Sequence, residues 1–159
     1  MQANYARRRQ RFRKLFQSAG ADSALVTNEV NVRYLTGITG DSSFQWLEQK
    51  REVLLSDSRY SVQQTEECPE LDVAIRDSRS SIVQLAVKTL TKAGGQRLAL
   101  EAHHLTKQKD SPLVSVRKAV SAVPTTGLVE HLRAIKDKSE LQSIKRAIGI
   151  AERSFDVIR

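Results

Sequence analysis

The apolar positions of this chain follow two spacings that alternate along its length. Phe12, Leu15, Phe16 and Ala19 fall at i, i+3, i+4, i+7, one stripe of a helix, and Gly20 supplies its stop. Ala24 to Thr27 is a short apolar run ended by Asn28, which predicts a buried strand. Asn31 to Thr36 mixes polar and apolar residues with no clear period, and Gly37-Ile38-Thr39-Gly40 forms a loop with two permissive glycines. Ser43 to Glu48 and Arg51 to Ser56 read as strands joined by a tight turn at Gln49-Lys50, though without the favoured glycine. Asp57 is placed to cap a helix from Ser58 to Glu67, and Pro69 closes it.

Strands and helices then alternate. Leu71 to Arg76 reads as a strand and Ser80 to Ala93 as a helix, with Ile82, Leu85, Ala86 and Leu90 on one side. Gly94-Gly95 ends that helix. Arg97 to Glu101 is a strand burying Leu98 and Leu100, Leu105 to Val120 a helix with a break or late start at Pro112, and Ser121 to Val123 a strand stopped by Pro124. Three early strands close in sequence imply an antiparallel meander, and the later alternation implies parallel crossovers. The fold expected is α/β: a mixed sheet of about six strands, helices on both faces, in a ribonuclease-H-like arrangement.

The last segment has its own pattern. Thr126 is placed to cap a short helix carrying Leu128, Leu132 and Ile135. Asp137 and Glu140 have the spacing of a capping box for a further helix. Leu141, Ile144, Ile148, Ala151, Phe155 and Ile158 form one stripe that still runs where the chain stops, the expectation for a piece of a longer protein. A core domain over residues 1–126 and a linker with a first helix over 127–159 follow.

Composition narrows the classes. The chain has 159 residues, 40% hydrophobic and 28% charged, which fits one globular domain rather than a disordered chain. No run approaches the roughly 18 apolar residues of a membrane span, and the start lacks a signal-peptide core. A single cysteine, Cys68, excludes an internal disulfide and a cysteine-based zinc site, and it points to a reducing, cytoplasmic compartment. Cys68 has no marked base partner and reads as an ordinary thiol.

The net charge of +8 is concentrated: six of the eight residues from Arg7 to Lys14 are basic. Such a cluster suits a nucleic-acid arm. The apolar stripe interleaved with it favours the solvated face of a helix. Phosphate loops, nucleophile elbows and HExxH are absent. Glu101, His103 and His104 offer too few metal ligands and read as a strand-to-helix connection. Asp41, Asp57 and Glu101 lie near strand ends, but the first strand carries none of the carboxylates that a two-metal nuclease needs.

Several segments carry a family resemblance. Ala21 to Asn28 followed by Asn31-Val32-Arg33-Tyr34-Leu35-Thr36-Gly37-Ile38-Thr39-Gly40-Asp41-Ser42-Ser43 resembles the N-terminal domain of Xaa-Pro peptidases: aminopeptidase P, prolidase and creatinase. Leu55-Ser56-Asp57-Ser58-Arg59-Tyr60 is similar to the family's second signature, and Leu100 to Thr106 to a third. Leu128 to Glu140 resembles the linker into the catalytic domain. The resemblance implies a pita-bread catalytic domain downstream, with two divalent metals, manganese by expectation, held by two Asp, one His and two Glu outside this chain. Catalytic residues, metal ligands and cofactors are then absent from this chain. It implies a homodimer in which the Gly37–Phe44 loop reaches the neighbouring subunit's site, acting on proline-containing peptides. That puts forward Arg33, Tyr34, Thr39, Asp41 and Ser42 as substrate-contacting residues, with Asp41 for an amine and Arg33 for a carboxylate or an acidic neighbour. The bland alternative for Arg33 and Tyr34 is scaffold. Rival readings of the chain are a nucleic-acid-binding domain on the Arg7–Lys14 face and an interaction module without chemistry.

Overall fold

The computed structural model describes residues 4–94, 97–102 and 120–159. Its strands are β1 (Ser23–Val26), β2 (Phe44–Glu48), β3 (Glu52–Ser56), β4 (Asp72–Ile75), β5 (Arg97–Glu101) and β6 (Ser121–Thr125). The helices are α1 (Tyr5–Ser18), α2 (Glu29–Thr36), α3 (Ser61–Glu67), α4 (Ile82–Ala93), α5 (Leu128–Ala134) and α6 (Lys138–Ile158). The strands form one sheet in the order β4-β3-β2-β1-β5-β6. β1–β2 and β2–β3 pair antiparallel, whereas β3–β4, β1–β5 and β5–β6 pair parallel. This is the mixed α/β sheet that the pattern predicts.

Alternation along the strands divides the core into two layers. Ala24, Val26, Leu47, Leu54 and Ala99 face α1, α2 and α5, where Phe12 and Phe16 meet edge to face with ring centroids 5.4 Å apart. Leu25, Trp46, Val53, Leu55, Leu98 and Leu100 face α4 through Ala86 and Leu90. Phe16 is fully buried, so Phe16→Ala would open a cavity costing about 3–5 kcal/mol.

Several boundaries differ from the sequence pattern for identifiable reasons. The unassigned segment Asn31–Thr36 is helical, as most of α2. Asn28 caps it by accepting from Val30 N, and Gly37 ends it in the left-handed region at φ 90°. Its period is masked because Asn31 and Thr36 are polar yet buried, Thr36 by donating to Val32 O. The Ser58–Glu67 helix begins instead as a 3₁₀ turn, Ser58–Tyr60, before α3. β6 is not stopped by Pro124 but runs to Thr125, since an edge strand can lose an N–H. Gly127, not Thr126, stands at the N-cap of α5, and Ile135 lies past its end, 60% exposed. The helix expected from Leu105 to Val120 lies outside the described residues apart from Val120, as do His103 and His104.

The capping box of α6 forms as predicted, with Asp137 accepting from Glu140 N at 3.0 Å and Glu140 accepting from Asp137 N at 2.9 Å. Its stripe of Leu141, Ile144, Ile148, Phe155 and Ile158 is exposed. Among the described residues no helix is long and apolar enough to cross a membrane.

Candidate functional site

The loop from Gly37 to Phe44 connects α2 to β2, and the segment following β3 holds it in place. Thr39 donates from N and Oγ1 to the two oxygens of Glu67, each at 2.7 Å. Gln63 donates to Thr39 Oγ1, and the Tyr60 hydroxyl donates to Asp41. At the loop's end Ser43 Oγ and Ser56 Oγ share a buried hydrogen bond of 2.7 Å. Side chains are excluded at two points. A Cβ on Gly37 would lie 2.7 Å from the Tyr5 ring, and one on Gly40 would lie 2.8 Å from the Tyr60 ring. Ser42 is left-handed at φ 57°, unique among the described non-glycine residues, and this bends the chain into β2.

Asp57 organises the holding segment. It accepts from Arg59 N at 2.9 Å and Nε at 3.1 Å, and its second oxygen pairs with Arg76. The Arg59 backbone bond is the main reason its carboxyl sits below the usual range, against the effect of burial. Arg59 stays mostly exposed and lies over the Tyr60 ring at 5.4 Å. The bond to Asp41 pushes the Tyr60 hydroxyl up. Burial pushes Glu67 up, but the Thr39 and Gln63 bonds and the field of Arg33 outweigh it, so its carboxyl is lowered. The result is an exposed polar surface carrying Arg33, Thr39, Asp41 and Arg59 on a backbone that is fixed at both ends. Such a surface can bind and orient a charged ligand. It has no activated nucleophile.

The candidate residues divide between this surface and the interior. Thr39, Asp41 and Ser42 lie together on the loop, and Arg33 is exposed on the last turn of α2. Tyr34 is buried. Its hydroxyl donates to Leu132 O at 3.3 Å, the Arg8 guanidinium covers its ring at 4.2 Å, and burial raises its pKa. Glu67 and Gln63, which brace the loop, escape sequence reasoning because their α3 pattern carries no motif. Arg59 and Tyr60 are marked by the second signature alone, Asp57 also by its capping position.

The carboxylates weighed for a metal have other partners. Glu101 accepts from Thr27 N, Asn28 N and Asn31 Nδ2, at 2.7, 2.9 and 2.7 Å. Asp41 and Asp57 are engaged as above. Among the described residues no group of three His, Cys, Asp or Glu side chains could hold a metal ion. Cys68 is buried, and burial pushes its thiol up to about 11, the opposite of an activated nucleophile.

The basic cluster is not simply a solvated face. Arg8 and Arg9 are buried, at 8% and 2% exposure. Arg8 pairs with Asp137 and Glu140, Arg9 with Glu52 and Glu70, and Arg13 with Glu52. Arg9 also donates to Leu35 O at 3.1 Å, tying α1 to α2. These long side chains cover apolar core while bonding carboxylates at the edge. Arg7, Arg11 and Lys14 remain exposed.

Known proteins share this architecture. The chain is 30% identical to a Xaa-Pro dipeptidase from Bacillus anthracis, whose structure matches 98% of this chain and 43% of its own with a TM-score of 0.85. It is 28% identical to the N-terminal domain of the cytoplasmic peptidase PepQ from Mycobacterium tuberculosis H37Rv, over 79% of this chain and 98% of that one, with a TM-score of 0.67. It is 28% identical over 146 residues to the uncharacterized peptidase YqhT of Bacillus subtilis (strain 168), covering 92% of this chain and 41% of that relative. The chain thus spans about two fifths of the length of the curated relatives it matches. The Creatinase/Prolidase N-terminal domain model matches residues 8–135, and the chain belongs to that family.

Proposed function

We propose that this chain is the non-catalytic N-terminal domain of a metal-dependent peptidase that cleaves bonds preceding proline. The observation that carries this reading is the Gly37–Phe44 loop, an exposed charged surface braced by Tyr60, Gln63 and Glu67 yet lacking any reacting group. A loop so fixed suits positioning of a substrate whose chemistry occurs on another domain. In the homodimer of the parent it reaches the neighbouring subunit's site, where Asp41 faces a substrate amine and Arg33 a carboxylate. Thr39 and Ser42 hold the loop's shape and offer hydroxyls. Tyr34 anchors the linker helix α5 from inside. Residues 1–126 form the domain body, and 127–159 lead into the catalytic domain.

The parent is cytoplasmic and binds two divalent ions, manganese by expectation, in its catalytic domain. When bound, they supply an activated water and stabilise the oxyanion of the attacked carbonyl. This chain's part is to position substrate and partner subunit. The test is hydrolysis of Xaa-Pro dipeptides and longer Xaa-Pro peptides by the intact parent with added manganese, beside the isolated chain. The parent is expected to cut one class and the chain neither. A parent that leaves every Xaa-Pro peptide intact overturns the substrate assignment, and turnover by the pure chain overturns the division of labour.

A further inference from the structure

The sheet ends at β4, and no described strand pairs with its outer edge. The direction of its free groups follows from the ladder. Arg76 N donates to Ser56 O of β3 at 2.9 Å. In a strand the main-chain groups alternate sides, so Asp72, Ala74 and Arg76 point to β3. Val73 and Ile75 therefore present their N–H and C=O groups outward. Their side chains are also exposed, at 38% and 40%, beside a groove of about 340 Å³ between β4 and α3. The other edge strand, β6, carries Pro124 and lacks a donor there. β4 has no such block.

The β4 sequence is complementary to itself. A two-fold axis through Ala74 sets Val73 opposite Ile75 of a second copy and Ile75 opposite its Val73. Each is then a pair that exchanges both main-chain hydrogen bonds, which are the groups left free. The same register brings two apolar pairs together on the α3 face. It also sets Asp72 opposite Arg76 of the second copy, a charge match repeated by symmetry, and Arg76 keeps 28% of its side chain exposed beside Asp57. A register shifted by one residue would turn the free donors away from each other.

We propose that two copies of this chain associate through antiparallel pairing of their β4 edges about Ala74, forming one continuous sheet of twelve strands. This specifies the surface of the homodimer in the preceding reading. Its test reads assembly alone, so its failure and that of the peptidase assignment are distinguishable.

Sedimentation velocity of the chain over a concentration series is expected to move from 17.8 kDa towards twice that mass. Ile75→Pro removes one outward N–H per copy and should raise the dimer dissociation constant by about tenfold or more. Val73→Lys should do the same by placing a charge on the edge, and circular dichroism checks that both variants fold. Ala74→Cys fixes the register without disrupting anything. The two thiols would face each other across a non-hydrogen-bonded pair, with Cα atoms about 4.5 Å apart, within disulfide reach. Oxidation should therefore cross-link this variant. The wild type should not cross-link, because its Cys68 is buried. A chain that stays monomeric overturns the proposal. So does a dimer whose Ala74→Cys variant stays uncrosslinked.

Discussion

Asn31 donates from Nδ2 to Glu101 Oε1 at 2.7 Å, across 70 residues of sequence. The same amide nitrogen donates to Glu130 at 2.6 Å, and its oxygen accepts from Arg133 at 3.0 Å. One buried side chain thus joins α2, the end of β5 and α5. The other oxygen of Glu101 accepts the backbone N–H groups of Thr27 and Asn28, where the chain enters α2. The loop that forms the candidate site leaves the far end of that helix, so this junction sets its origin.

Removing the amide should therefore be costly. Asn31→Ala leaves two carboxylates and one guanidinium short of a partner, and a loss of about 2–3 kcal/mol is expected in urea unfolding. Asn31→Asp should lose at least as much at neutral pH, because a third carboxylate is placed between Glu101 and Glu130. Those neighbours raise the introduced group's folded pKa, so it destabilises above that value and the penalty shrinks as pH falls. Unfolding at about pH 5 and pH 8 checks the sign. An Asn31→Asp variant as stable as wild type at pH 8 would refute the network's role.

This residue also shows where sequence reasoning stops. The sheet was legible because Leu25, Trp46, Leu54 and Leu98 alternate or cluster as strands do. α2 was not, because Asn31 and Thr36 look like surface positions until their bonding partners, distant in sequence, are known. The arginines of α1 misled in the opposite direction. Their charge suggested water, whereas Arg8 and Arg9 are buried against carboxylates up to 132 residues away, a match no local pattern records. Of the site, the loop and its holding segment could be read from their signatures, while Gln63 and Glu67 could not. Tyr34 sits within a signature yet points inward, since a motif marks a position and not a direction.

Arg8 and Asp137 join α1 to the start of α6 at 2.7 Å. Burial pushes the Asp137 carboxyl up, but the Ser139 hydroxyl, the Glu140 N–H and Arg8 outweigh it and hold the group well below the usual carboxylate range. A depressed acid contributes stability that is complete above its unfolded value of about 4 and is lost as pH falls through the folded value. Asp137→Ala should cost about 1 kcal/mol at neutral pH through the lost cap. The difference from wild type should shrink below about pH 4. Thermal melts across that range measure it, and a gap that widens in acid would contradict this account.

Two glycines separate backbone strain from crowding. Gly127 is left-handed at φ 70° with open space where a Cβ would go, whereas Gly37, also left-handed at φ 90°, has the Tyr5 ring 2.7 Å from that point. Gly127→Ala should cost about 1 kcal/mol from conformation alone. Gly37→Ala should cost more, and Tyr5→Ala added to it should recover part of the excess, a coupling that a double-mutant cycle reads directly. Equal losses at the two glycines would mean that Tyr5 simply moves aside.

Tyr60→Phe tests the loop within the intact parent. It removes the hydroxyl that donates to Asp41 and leaves the ring under Gly40 in place. Domain stability should change by less than about 1 kcal/mol, the net worth of one exposed hydrogen bond. If the loop positions substrate, KM for Xaa-Pro peptides should rise with kcat nearly unchanged, the pattern of lost uniform binding. An unchanged KM would separate Asp41 from substrate.

Cys68 reports on unfolding. Its thiol is buried, donates to Thr36 O at 3.4 Å, and burial holds its pKa at about 11. At pH 8 only about one thiol in a thousand would then be the reactive thiolate, and that one has no access to solvent. A disulfide reagent should therefore label the native chain hundreds of times more slowly than the urea-unfolded chain, whose thiol titrates near 8.5. The native rate should also rise with variants such as Asn31→Ala that make opening easier, because labelling passes through the open state. A native rate within about tenfold of the unfolded rate would show instead that α3 and the loop it braces open readily, and the fixed geometry of Thr39 and Glu67 would not hold.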